Sequence, residues 1–168
     1  MTLSIYDLSI PVFTRGLINL SALLDKAAAY AAAKKIDPAV LAQARLFPDM
    51  FPLSRQVQIT CDTAKGAAAR LAGIDIPKHE DVEVNLEELK QRIAKTLDFV
   101  KSVKADQLKG AESKTIELKF PNRTFTFTGL SYLAEFVLPN FYFHQSMTYA
   151  LLRSNGVDVG KMDFLGST

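Results

Sequence analysis

A chain of 168 residues, 48% hydrophobic and 23% charged, holds enough material for one domain, residues 1–168, burying roughly 70% of its unfolded surface. Twenty basic against eighteen acidic residues leave a formal charge of +2, which excludes a dedicated nucleic-acid binder. No apolar run nears the ~20 residues of a bilayer crossing, no early basic cluster marks a leader, and the single cysteine, Cys61, excludes an internal disulfide. The expectation is a soluble, cytoplasmic protein with neither a membrane nor a nucleic acid as partner.

The first helix is marked by Phe13, Leu17, Leu20, Leu24, Ala27 and Ala31 at alternating steps of four and three. Ser4 and Asp7 resemble a capping box, which sets its start near Ser4. Pro11 should then kink it or mark a restart. The stretch "DPAVLAQARLFPDMFP" carries three prolines and reads as a long connection with one short helical turn. A second helix follows from about Pro52 to Ala72, stopped by Gly73. Its stripe is Leu53, Val57, Cys61, Ala64, Ala68 and Leu71.

The third helix opens on Asn85 with Glu88 three residues on, and buries Leu86, Leu89, Ile93, Leu97, Val100 and Val103. In "TIELKFPNRTFTFTG" apolar residues alternate about Pro121-Asn122, the pattern of a hairpin. The fourth helix spans about Leu130 to Asn155 and ends at Gly156. The fold class predicted is all-α, a four-helix bundle with a small β-hairpin between the third and fourth helices. The tail "VDVGKMDFLGST" should lie back over the bundle or onto a partner subunit.

The fourth helix is apolar nearly all round, which predicts that it is the most buried of the four. Yet at 100° per residue Asn140, His144 and Thr148 share a face about 80° wide. Pro139 leaves the Glu135 carbonyl without its helical donor and opens a kink near Asn140. Two readings stand. Asn140 and Thr148 repair the backbone while His144 is a satisfied core residue, or the three line a ligand pocket.

Counting donors weighs a metal. A catalytic zinc-type site wants three protein ligands, commonly His. The chain has two histidines, and His79 sits in the polar loop "IPKHEDVEV", where a surface position is expected. No His-x-x-x-His, Glu-x-x-His or Cys-x-x-Cys pair occurs. A site of His144 with Asp49 or Asp62 is the remaining metal option. Cys61, on an apolar stripe, reads as an inert buried thiol, and no glycine-rich phosphate loop occurs.

The segments "LFPDMFPLSRQVQITCDTAKGAAARLAG", "FTFTGLSYLAEFVLPNFYFHQSMTYALLRSNGV" and "GKMDFLG" resemble an uncharacterised bacterial domain-of-unknown-function family. That family is similar to a branch of the DinB/YfiT-like superfamily. The resemblance implies an up-down-down-up bundle, frequent homodimers and, in active relatives, metal-dependent thiol-linked transferase or isomerase chemistry. Their metal is held by a His near the start of the second helix and a His-x-x-x-His pair in the fourth. Here His144 is the fourth-helix candidate. Asn140 and Thr148 stand four residues to either side, and Asp49, Met50, Arg55 and Gln56 occupy the start of the second helix.

Three functions follow. The first is a small-molecule-binding protein with a degenerate metal site, no metal and no cofactor, its candidate pocket made by His144, Asn140, Thr148, Gln56 and Asp49. The second is a transferase or isomerase of the DinB/YfiT type; the third is a structural homodimer without ligand. Whether any reaction is catalysed stays open at this level.

Overall fold

A computed structural model describes residues 3–166; the outermost two residues at each end of the expected 1–168 domain lie outside it. The capping box forms: the Ser4 N–H donates to Asp7 Oδ2 at 3.0 Å, and the Asp7 N–H to Ser4 Oγ at 3.3 Å. It caps only a turn, however, and helix α1 spans Ile10–Lys34. Pro11 explains the restart. The Asp7 carbonyl would need the N–H that Pro11 lacks, whereas in a helix's first turn that N–H is dispensable.

The first connection holds the short α2, Pro38–Gln43, capped by the Asp37 side chain. Helix α3 spans Leu53–Ala72 and ends on Gly73 in the left-handed region at φ 73°. Helix α4, Leu86–Ser102, starts on Asn85, whose Oδ1 accepts the Glu88 N–H at 3.0 Å. Two 3₁₀ turns follow, Ala105–Leu108 and Ala111–Ser113. The expected hairpin forms from β1, Thr115–Phe120, and β2, Arg123–Thr128. They are antiparallel, with Ile116 opposite Phe127 and Leu118 opposite Phe125.

The anticipated fourth helix is three pieces. A turn α5, Gly129–Ser131, leads into a π-helical stretch, Tyr132–Val137, and then α6, Leu138–Ser154. Within the π stretch the Leu138 N–H reaches five residues back to the Leu133 carbonyl. The disturbance thus sits one turn before the expected kink, where a widened turn can pass over the donor missing at Pro139.

Helix α1 packs on α4, α4 on α3, and α3 on α6. Phe13, Leu17, Leu20 and Leu24 of α1 are fully buried, as are Val57 and Ala64 of α3 and Phe141 of α6. Small residues, Ala27 and Ala31 on α1 and Ala67 and Ala68 on α3, bring backbones close. An edge-on contact between Phe13 and Phe141, 5.4 Å between centroids, ties α1 to α6. The tail folds back as α7, Lys161–Leu165, against α1. There Asn19 Nδ2 donates to the Phe164 carbonyl at 3.1 Å, and Lys26 pairs with Asp163 at 2.7 Å.

One expectation is corrected. Helix α3, not α6, is the most enclosed, with fifteen of its twenty residues buried against six of seventeen in α6. Apolar side chains of α6 such as Phe143, 52% exposed, face outward instead. Helix α3 lies between α4 and α6, and a polar loop closes over it. No described helix is long and apolar enough to cross a membrane.

Candidate functional site

Where α3 meets α6, two residues far apart in sequence come into contact. His144 Nδ1 lies 2.7 Å from Gln56 Oε1, and both side chains are buried. Gln56 Nε2 donates to the Phe51 carbonyl at 3.2 Å. That bond sets the direction of the amide and leaves Oε1, an acceptor, facing the ring. The Nδ1 atom must therefore carry the proton. Nε2 then holds a lone pair and makes no hydrogen bond among the described residues.

Burial pushes the His144 imidazole down to about 4, helped by the nearby charge of Arg55. At neutral pH the ring is uncharged, a hydrogen-bond acceptor at Nε2 and a weak base. Phe143 meets it edge-on at 5.1 Å between centroids. Phe143 is about half exposed, as is Phe51, whose backbone carbonyl accepts from Gln56, so the Phe143 ring flanks the imidazole toward solvent.

The other candidates are placed differently. Thr148 is fully buried and its Oγ1 donates to the His144 carbonyl at 3.1 Å, four residues back; this satisfies its own hydroxyl and does not reach the Glu135 carbonyl opposite Pro139. Asn140 reaches across to α3, where its Nδ2 donates to Thr63 Oγ1 at 2.9 Å. Asp49 is exposed and makes no side-chain bond to His144, Gln56 or Asn140 among the described residues. The structure thus joins His144 to Gln56, stations Asn140 and Thr148 one turn to either side, and leaves Asp49 apart.

These residues do not suit a three-imidazole metal clasp. Gln56 meets the one imidazole with an amide, Asn140 is committed to Thr63, and Thr148 to a carbonyl. Among the described residues no three His, Cys, Asp or Glu side chains gather as a metal site would need. The Cys61 thiol is fully buried and pushed up to about 12, chiefly by burial. A thiolate nucleophile is not available there at neutral pH.

The sequence reading missed a second polar centre. Arg92 of α4 is 2% exposed, yet it holds Asp62 at 2.8 Å, Asp81 at 2.9 Å and Glu83 at 3.0 Å. Gln58 donates to Glu83 at 2.9 Å, the buried Lys65 pairs with Asp62 at 3.1 Å, and Arg55 pairs with Asp81. The loop 78–83 is thereby tied down over α3. Burial disfavours the Glu83 carboxylate, but a backbone N–H, Arg92 and Gln58 hold it below the usual range. His79 is half-buried rather than a free surface residue, and its Nδ1 is buried without a partner among the described residues. A signal was present: Arg92 sits beside Leu89 and Ile93 on the apolar face, followed one turn later by Thr96, while an acid-rich "HEDVE" lies just upstream.

Comparisons with known proteins bear on the family and the fold. A family described as "Domain of unknown function (DUF1993)" matches residues 5–165. A crystal structure of a DinB family member protein from Shewanella denitrificans is 44% identical, covers 97% of this chain and 92% of its own, and superposes with a TM-score of 0.90. No curated protein matches the chain. A domain match over nearly the whole length, with a helical relative so similar in fold and sequence, establishes that the chain belongs to the DUF1993 family and is related to DinB proteins.

Proposed function

We propose that this protein is a small-molecule-binding member of the DinB-like bundles, in which an amide has replaced metal-ligating imidazole and the pocket has been kept. The observation that carries the reading is the His144–Gln56 bond of 2.7 Å. It stands where α3 begins and α6 crosses it, the place to which the resemblance assigns a metal in active relatives. A buried imidazole with its Nδ1 proton engaged and its Nε2 lone pair unclaimed suits a neutral ligand bearing a hydroxyl or amide donor. The half-exposed Phe51 and Phe143 suit an apolar body on that ligand. The π stretch Tyr132–Val137 just ahead of Asn140 supports the same reading, since such turns are frequent at functional sites.

The reading includes a single-domain, up-down-down-up four-helix bundle, supported by the packing chain of α1 on α4, α4 on α3 and α3 on α6. It includes a reducing, cytoplasmic setting, supported by the lone buried thiol of Cys61. It includes a homodimer, supported by exposed apolar side chains such as Phe47 and Met162. The donor set gives no support to the transferase reading.

Native mass spectrometry of untagged protein tests the central part. A bound organic species should accompany the wild type and be lost from a folded His144→Ala variant. Equal retention in both would remove the pocket from His144.

A further inference from the structure

Away from His144, the loop 78–83 and the first turns of α4 enclose a cleft of about 430 Å³. Its walls include Lys78, His79, Glu83, Arg92 and Lys95. The charges there are unevenly matched. Glu83 is neutralised by Arg92 at 3.0 Å and held by Gln58. Glu88 Oε2 is engaged by the Val84 N–H at 2.7 Å, and Glu80 carries its charge without a cation partner among the described residues. Against these, Lys78 and Lys95 also have no carboxylate partner among the described residues.

A second cleft of about 440 Å³ adjoins it, sharing Lys78, His79 and Glu80 and adding Arg70. Among the described residues the side chain of Arg70 donates only to the neutral Tyr132 hydroxyl, at 3.2 Å. The segment 78–80 thus divides two hollows whose unpaired cations, Lys78, Lys95 and Arg70, outnumber the free carboxylates. Between them stands the His79 imidazole, with a buried Nδ1 that has no partner among the described residues. A buried polar atom in a native protein ordinarily has one.

We propose that this cleft is a second binding site, for a small organic anion whose carboxylate or phosphate group bridges Lys78 and Lys95 beside the His79 ring. Arg92 does not bind the anion directly. Its forks to Asp62, Asp81 and Glu83 hold the loop that forms one wall. The lining of this cleft is balanced, Lys78, Arg92 and Lys95 against Glu80, Glu83 and Glu88, so the anion is drawn by the two unpaired ammonium groups rather than by a net charge of the walls.

The same geometry gives the site a pH signature. Facing His79 are Asp62, Lys65 and Arg70 from α3, Glu88, Arg92 and Lys95 from α4, and Lys78, Glu80 and Glu83 from its own loop. Burial, then Lys65 and Arg92, keep the free imidazole below its ordinary range. An anion seated beside it favours the protonated ring, so binding tightens as pH falls and the ring titrates at higher pH when bound.

The test is an NMR titration of the two histidine rings in the full chain with succinate, acetate and inorganic phosphate, each against sodium chloride at matched ionic strength. The His79 resonances should shift saturably with succinate or phosphate, and their titration should move upward. The stronger of the two names the group recognised. Lys95→Ala and Lys78→Ala, both at exposed positions, should each weaken binding about tenfold. No saturable shift with any of the three, a shift that chloride reproduces, or unchanged affinity in both lysine variants would overturn the proposal.

Discussion

His144 and Gln56 are 88 residues apart in the chain, and the 2.7 Å bond between them joins α6 to α3. Because Gln56 Nε2 is tied to the Phe51 carbonyl at 3.2 Å, this one bond sets the tautomer of the imidazole, its charge at neutral pH and the atom it leaves free.

Replacing Gln56 by Glu keeps the shape and puts a carboxylate beside the Nδ1 proton. An opposite charge at that distance favours imidazolium by about 1–3 pH units. The His144 titration should therefore rise from about 4 toward the ordinary histidine range, read from ring resonances against pH. No movement would mean that the pair is not in contact in solution.

His144 also predicts how stability depends on pH. In the unfolded chain the ring takes a proton near 6.5, whereas in the folded protein it does so near 4. Between those values the unfolded state binds the extra proton, so stability falls as pH drops through that window and levels off below it. Full expression of the shift amounts to about 3 kcal/mol. Urea unfolding of wild type and His144→Asn at pH 7 and pH 4 isolates it, because carboxylate contributions are common to both. The wild type should lose more stability than the variant.

Arg92→Ala should destabilise strongly, since it strands Asp62, Asp81 and Glu83 without their shared cation. Two of these, 38% and 40% exposed, keep part of their hydration, which places the loss near the low end for a broken buried network, about 3 kcal/mol. Arg92→Lys should recover less than half, because one ammonium nitrogen cannot stand where the two guanidinium nitrogens reach Glu83 on one side and Asp62 and Asp81 on the other. Urea midpoints measure both. A loss under about 0.5 kcal/mol, the range of ordinary surface changes, would show that the loop is not held this way.

Gly129→Ala should also destabilise, for a different reason. A Cβ there would overlap the carbonyl oxygen of Ala111, which is backbone and cannot swing aside. Overpacking of this kind costs about 1–3 kcal/mol, and thermal unfolding should show it. Gly110, with open space around the same substitution, is not an equivalent control, because its φ of 77° disfavours any side chain.

The long helices were legible because each carries a 3.6-residue stripe and a local stop signal, as Gly73 does for α3. The hairpin was legible because Ile116, Leu118, Phe125 and Phe127 alternate. The expected ranking of burial failed where tertiary contact overrode pattern. The stretch around Phe143 is apolar enough to look wholly buried, but α6 has neighbours on only part of its surface. Off its apolar stripe, α3 also buries Gln56, Gln58, Thr60 and Lys65; Thr60 and Lys65 find partners within the helix, whereas Gln56 meets His144 of α6 and Gln58 meets Glu83 of the loop 78–83. Those partners lie between 25 and 88 residues away for Gln58 and Gln56, a separation no local period encodes. The site was half legible: His144 and Asn140 announced themselves on an apolar helix, whereas the network of Arg92 depends on three carboxylates from two segments.

The proposed site requires an uncharged His144 whose Nδ1–H donates to Gln56 Oε1 and whose Nε2 is free of metal. A long-range ¹⁵N spectrum of the imidazole at pH 7, recorded on untagged protein before and after one equivalent of zinc, reads this directly. The expected spectrum shows a protonated Nδ1, an unprotonated Nε2 and no change on adding zinc. A metal-shifted Nε2, saturating at one equivalent, would contradict it.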